Sequence, residues 1–291
     1  MATPPETVPV APAAAPPPLF DETLYAQRQA RATEPLFHRL SAEMLCDRLD
    51  EVNRRFTDAA LISHQPGIWV DRLAAHPRVA TLSHHLPAPL LPLRPGSCDL
   101  VVLGLWLHAS NDPLGALIQA RRALRPDGLL LAPVFGGQTL RELRSALAGA
   151  EAETLGGLSP RVAPMAEIRD LGALLQRAGF AMPVADADRT ELRYAGMLAL
   201  MRDLRRMGET NVLAGRLRRP TRRAVIARAA GLYDAAHRGP DGRVAARFEI
   251  VWLTGWAPGP DQPQPKRRGS ASARLADALG VAELSAGEKA G

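Results

Sequence analysis

Two apolar runs constrain this chain more than anything else in it. Leu100-Val101-Val102-Leu103-Gly104-Leu105 and Leu129 to Phe135 are nearly free of polar side chains. A strand with no polar alternation is covered on both faces, which is the situation of a parallel sheet between helical layers. Between the runs lies a stretch with helical periodicity, Asp112 to Leu124, and then the turn Arg125-Pro126-Asp127-Gly128. Strand, helix and strand in that order form a parallel crossover unit.

The pattern extends in both directions. Leu36, Leu40, Met44, Leu45 and Leu49 place a helical stripe within about 22–54. Ala59 to Ile62 reads as a strand, 67–75 as a helix and 78–83 as a further strand. Helices are predicted at 138–150 and 164–178, the latter stopped by Gly179. Polar alternation makes 183–193 an edge or antiparallel strand, and 247–254 is the last strand. A helical excursion at about 195–236 separates these two. Residues 1–18 are rich in Pro and Ala and are expected to be disordered, the domain to cover 19–257, and 258–291 to be a flexible tail with a short helix at 273–279.

Composition narrows the function classes. No window of eighteen apolar residues exists, so no membrane span is expected, and no secretory signal opens the chain; the expected compartment is cytoplasmic. Cys46 and Cys98 stand far apart, and His64, His76, His84 and His85 lack a ligand spacing, so no metal site is expected. The net charge of +6 is carried almost wholly by arginine. The densest run, Arg216 to Arg223, has no interleaved aromatic residue, and no nucleic-acid partner is expected.

Three segments carry a resemblance. Leu91-Pro92-Leu93-Arg94-Pro95-Gly96-Ser97-Cys98-Asp99-Leu100-Val101 is similar to the stretch that leads into the fourth strand of class I S-adenosylmethionine-dependent methyltransferases. Leu107 to Asp112, with Leu124-Arg125-Pro126-Asp127-Gly128-Leu129, resembles the next stretch of that superfamily. Gly156 to Pro164, Met207-Gly208-Glu209-Thr210-Asn211 and Leu253 to Pro258 resemble a narrower branch: the bacterial relatives of a mitochondrial complex I assembly factor, beside the malonyl-carrier-protein methyltransferases.

The resemblance implies a Rossmann-like fold: a mostly parallel seven-stranded sheet, helices on both faces, and a helical insertion before the last strand. It implies S-adenosylmethionine as cofactor, bound by Ile62, Ser63, His64, Gly67, Ser83, Leu91, Leu105 and Trp106. The loop is degenerate. Ile62 and His64 stand where an acidic residue and a glycine are usual, and neither the strand end at Thr81 to His85 nor Ala88-Pro89 supplies the two further carboxylates. His108 is the candidate catalytic residue, while Arg161 and Tyr194 are candidates for the acceptor pocket. Three functions fit: methyl transfer to a small carboxylic-acid acceptor, arginine hydroxylation on a respiratory complex I subunit, and non-catalytic binding by a pseudoenzyme.

Overall fold

The computed structural model describes residues 17–260 and 262. Of the described residues, 17–258 belong to one compact unit. Most of the Pro/Ala-rich N-terminal segment and nearly all of the expected tail, including 273–279, lie outside the described residues.

Two helices open the chain, α1 (Glu22–Ala30) and α2 (Leu36–Glu51). The sequence predicts helix through 22–54, and the break falls just before Pro35 because a residue preceding proline is pushed out of the helical region. There follow β1 (Phe56–Ile62), α3 (Pro66–Ala74), β2 (Val79–His85), β3 (Cys98–Leu103), a single 3₁₀ turn (Leu107–Ala109), α4 (Pro113–Ala123) and β4 (Leu124–Phe135). The remainder is α5 (Arg141–Leu155), α6 (Ile168–Arg177), β5 (Ala181–Tyr194), α7 (Met197–Met207), α8 (Arg223–His237) and β6 (Val244–Trp256).

The six strands form one sheet in the order β2-β1-β3-β4-β6-β5. Pairings among the first four are parallel, and β6 lies antiparallel between β4 and β5. The expected seventh strand is absent among the described residues. Residues 86–97, between β2 and β3, contain Pro87, Pro89, Pro92 and Pro95, and a proline has no N–H to give to a ladder. This leaves β2 as the sheet edge.

Alternation along β3 divides the core. Leu100 and Val102 belong to one apolar cluster, with Leu45 of α2, Trp69 of α3, Leu147 of α5 and Tyr233 of α8. Val101 and Leu103 belong to the other, with Leu117 of α4 and Leu175 of α6. Successive side chains of a strand point to opposite faces, so the sheet is covered on both sides. Asp99 is buried within β3 and fixes the register: its carboxylate accepts from Thr57 N–H at 2.7 Å, Thr57 Oγ1 at 3.0 Å and Asp58 N–H at 2.9 Å. At the other end of the crossover, Asp112 caps α4 by accepting Gly115 N–H at 2.7 Å, with Pro113 in the first turn.

Candidate functional site

The carboxyl ends of the parallel strands meet around a strained turn. Leu105, two residues past the end of β3, has φ +56°, a left-handed conformation that costs a leucine about 1–2 kcal/mol. The turn sends Trp106 back over β1, where its Nε1–H donates to Ile62 O at 3.1 Å. The same Ile62 carbonyl accepts Gly104 N–H at 2.7 Å, and Ser63 Oγ donates to Gly104 O at 2.9 Å. A Cβ on Gly104 would stand 3.0 Å from Ser63 Cβ and Trp69 Cε2, so glycine permits this close approach. The turn after Trp106 then places His108 on the 3₁₀ segment.

His108 joins a buried polar cluster assembled from three distant segments. Tyr25 of α1 donates its hydroxyl proton to Glu209 Oε1 at 3.0 Å, and Gln29 Nε2 donates to the same oxygen at 2.7 Å. His108 Nε2 lies 3.2 Å from Tyr25 Oη and 3.4 Å from Glu209 Oε2. Because the single tyrosine proton goes to Glu209, the Nε2 proton belongs to His108. His108 Nδ1 is buried and unbonded among the described residues. His64 closes the cluster with its ring edge-on to Tyr25, 5.2 Å between centroids.

Burial and the neighbouring Glu209 charge hold the Tyr25 phenol well above its usual range, so it stays a donor. Burial pushes the Glu209 carboxyl up. The closeness of His108 and its hydrogen bond, then the closeness of His38 and the Tyr25 hydroxyl, outweigh it and hold the group below the ordinary carboxylate value. Burial takes His64 and His38 down to about 4, so both are neutral near neutral pH.

Two cavities flank the cluster, separated by Tyr25 and Ala109, which line both. One, about 280 Å³, has Glu209, His108, Arg28 and Arg161 in its wall and an apolar floor that includes Leu143 and Phe248. The other, a cleft of about 570 Å³, is lined by His64, Trp106, Glu22 and Asp112 with the 87–89 loop. A third cavity, about 460 Å³, reaches His108 from the α4 and α6 side of the sheet.

The expected cofactor residues divide sharply. His64 and Trp106 line the 570 Å³ cleft. Ile62, Ser63 and Leu105 are fully buried and line none of these cavities. Ser83 Oγ donates to Ala59 O at 3.3 Å, and Leu91 N–H to Gln119 Oε1 at 2.7 Å. A Cβ on Gly67, in the first turn of α3, would meet nothing within 4 Å, so no close approach rests on that glycine.

Of the acceptor candidates, Arg161 lines the 280 Å³ cavity, ion-paired with buried Glu151 and donating to Thr221 Oγ1. Tyr194 points elsewhere and donates to Asp203 Oδ2 at 2.7 Å. Tyr25, Gln29 and Glu209 were not singled out by the sequence. The available signal was the unusual string Met207 to Asn211, which carries the resemblance and contains Glu209.

Comparison with known proteins gives four matches. Residues 70–132 match the family described as "Methyltransferase domain". The mitochondrial arginine-hydroxylase NDUFAF5 of Danio rerio is 41% identical over 194 residues, covering 67% of this chain and 60% of that protein. Its counterpart of Mus musculus is 34% identical over 298 residues, covering 93% of this chain and 87% of that protein. The malonyl-[acyl-carrier protein] O-methyltransferase of Laribacter hongkongensis (strain HLHK9) is 39% identical over 178 residues, covering 61% of this chain and 56% of that protein.

Proposed function

The chain belongs to the family of the mitochondrial arginine-hydroxylase NDUFAF5, and on that footing we propose that it takes an arginine side chain of a partner protein into the 280 Å³ cavity. The partner in this reading is a subunit of the respiratory NADH dehydrogenase. One observation carries it: Glu209 is an ionised carboxylate, 14% exposed, in the wall of a largely apolar cavity. Its Oε1 is occupied by Tyr25 and Gln29, whereas Oε2 has, among the described residues, only the long 3.4 Å contact with His108. An open carboxylate oxygen held in place by neutral donors is a receptor for a planar guanidinium.

The methyltransferase fold brings S-adenosylmethionine with it, and the 570 Å³ cleft has room for that group. His64 and Trp106 would hold it, with carboxylates contributed by Glu22 of α1 and the α4 cap Asp112, since the strand ends offer none. When bound, the group supplies an electrophilic sulfonium methyl. The chain's own contribution is to separate the two cavities with Tyr25 and to keep Glu209 charged.

Calorimetric titration of the full chain tests both halves. An arginine-bearing peptide is expected to bind, and Glu209→Gln to weaken it by about tenfold or more, corresponding to roughly 1.4 kcal/mol. Equal affinity in both proteins overturns the role of Glu209. S-adenosylmethionine is expected to bind in the micromolar range, and no heat up to millimolar removes it from the cleft.

A further inference from the structure

The arginine run noted in the sequence has no part in the chemistry above. We propose that the loop joining α7 to α8 is a docking surface for an acidic segment of a partner protein, set beside the mouth of the 280 Å³ cavity. This holds whichever side chain enters the cavity.

Arg216 is committed to Asp21, 3.0 Å away. Arg218, Arg219, Arg222 and Arg223 are exposed, and none of them forms a side-chain hydrogen bond or ion pair among the described residues. Arg218 shares the Asp21 charge with Arg216 at longer range, and the four cations within six residues repel one another. Two of them stand at the start of α8, Arg222 as its cap and Arg223 in its first turn, with no acidic residue there. A cation at the positive end of a helix is unfavourable, so these side chains weaken α8 instead of supporting it. The loop itself is held firmly. Asn211 Nδ2 donates to Pro160 O at 2.8 Å, and Arg161 binds Thr221.

The loop reaches the cavity directly, since Thr210, Asn211 and Thr221 line it together with Arg28 and Arg205. Burial, and after it repulsion from Arg216 and Arg205, lowers the Arg28 pKa; Asp21 opposes this. Positive charge therefore continues from the loop to the rim. Guanidinium groups grip carboxylates in pairs of parallel hydrogen bonds, which suits a run of Asp or Glu side chains. Residues 208–223 include no aromatic side chain on which bases would stack. The apolar faces of α7 and α8, with Leu200, Leu204, Val225 and Tyr233, are turned into the core, so neither helix offers a face to insert into lipid. Leu158, 72% exposed and two residues from Pro160, adds one apolar contact for the arriving segment.

Fluorescence anisotropy with a labelled decaglutamate peptide and the full chain tests the surface. Binding that weakens as salt is added is expected. Replacing Arg218, Arg219, Arg222 and Arg223 by Ser should weaken it about tenfold or more. A control with the same charge change at scattered exposed sites, Arg31, Arg55, Arg169 and Arg177 to Ser, should leave it within about twofold. Equal weakening in both variants overturns the proposal, because net charge alone would explain it. So does the absence of binding at millimolar peptide, or tighter binding of a thymidine oligonucleotide or of phosphatidylserine vesicles through the same four arginines. Both variants are read alongside their circular dichroism, and a folded loop variant that still binds the peptide also overturns it.

Discussion

Acid should destabilise this protein through one identifiable ring. His38 on α2 is 2% exposed, and its Nδ1 accepts the Trp69 Nε1 proton at 3.1 Å. The other ring nitrogen, Nε2, is buried without a partner among the described residues. Burial lowers its pKa from 6.5 to about 4; the Glu209 charge pulls the other way, and His108 and His64 add to the lowering. The folded pKa is depressed, so between 6.5 and about 4 the unfolded chain takes up the proton first. The contribution is therefore complete above pH 6.5 and is lost as the pH falls towards the folded value. Integrated from neutrality to pH 5, the loss is about 2 kcal/mol. His38→Phe keeps a ring in the same space but cannot titrate. It leaves the Trp69 N–H unbonded, so at neutral pH it should be less stable by about 1–3 kcal/mol. On acidification the gap should close by about 2 kcal/mol. Urea unfolding of both proteins at pH 7 and pH 5, followed by circular dichroism, measures this. If the two proteins lose stability in parallel, His38 is not the neutral buried group described.

Three further substitutions probe other parts of the molecule. Asp99→Asn removes the charge from a carboxylate with three donors, at a cost of about 2 kcal/mol; a thermal melt should show a drop of roughly 4–8 °C. Gly136→Ala would place a Cβ 2.5 Å from Glu249 Oε1 and 2.6 Å from Val251 Cγ2, and should cost about 1–3 kcal/mol in urea unfolding. Gly67→Ala meets nothing within 4 Å and should stabilise α3 by about 0.5–1 kcal/mol. Loss of stability there would mean that some close approach does depend on that glycine.

The sheet was legible where its strands are buried on both faces, because the runs at 100–105 and 129–135 have few other ways to hide their side chains. The missing strand was legible only in hindsight. A family pattern led to seven, while the prolines of 87–95 already opposed a ladder there. The site was less legible still. Ile62 occupies the position of an acidic residue in the family pattern, yet its side chain points into the core and is fully buried. His108 was within reach of sequence reasoning because it follows a recognisable strand. Its partners were not, since Tyr25 and Glu209 are 184 residues apart and no local periodicity announces such a meeting.

That separation also dictates when the site can come into being. Asn111 grips Phe20 through both halves of its amide, at 2.9 Å each, and Asp21 N–H reaches Val212 O at 2.8 Å. The arm that begins the domain is thus anchored to segments made much later. During synthesis the ribosome must deliver residue 209 and the loop behind it before α1 has a place to settle, and closing so long a loop is a late entropic expense. A nascent chain caught earlier has strands and helices but no Tyr25–Glu209 wall, hence no formed acceptor cavity. The wall that the proposed acceptor cavity needs is therefore built only after residue 209 and the loop behind it have been made.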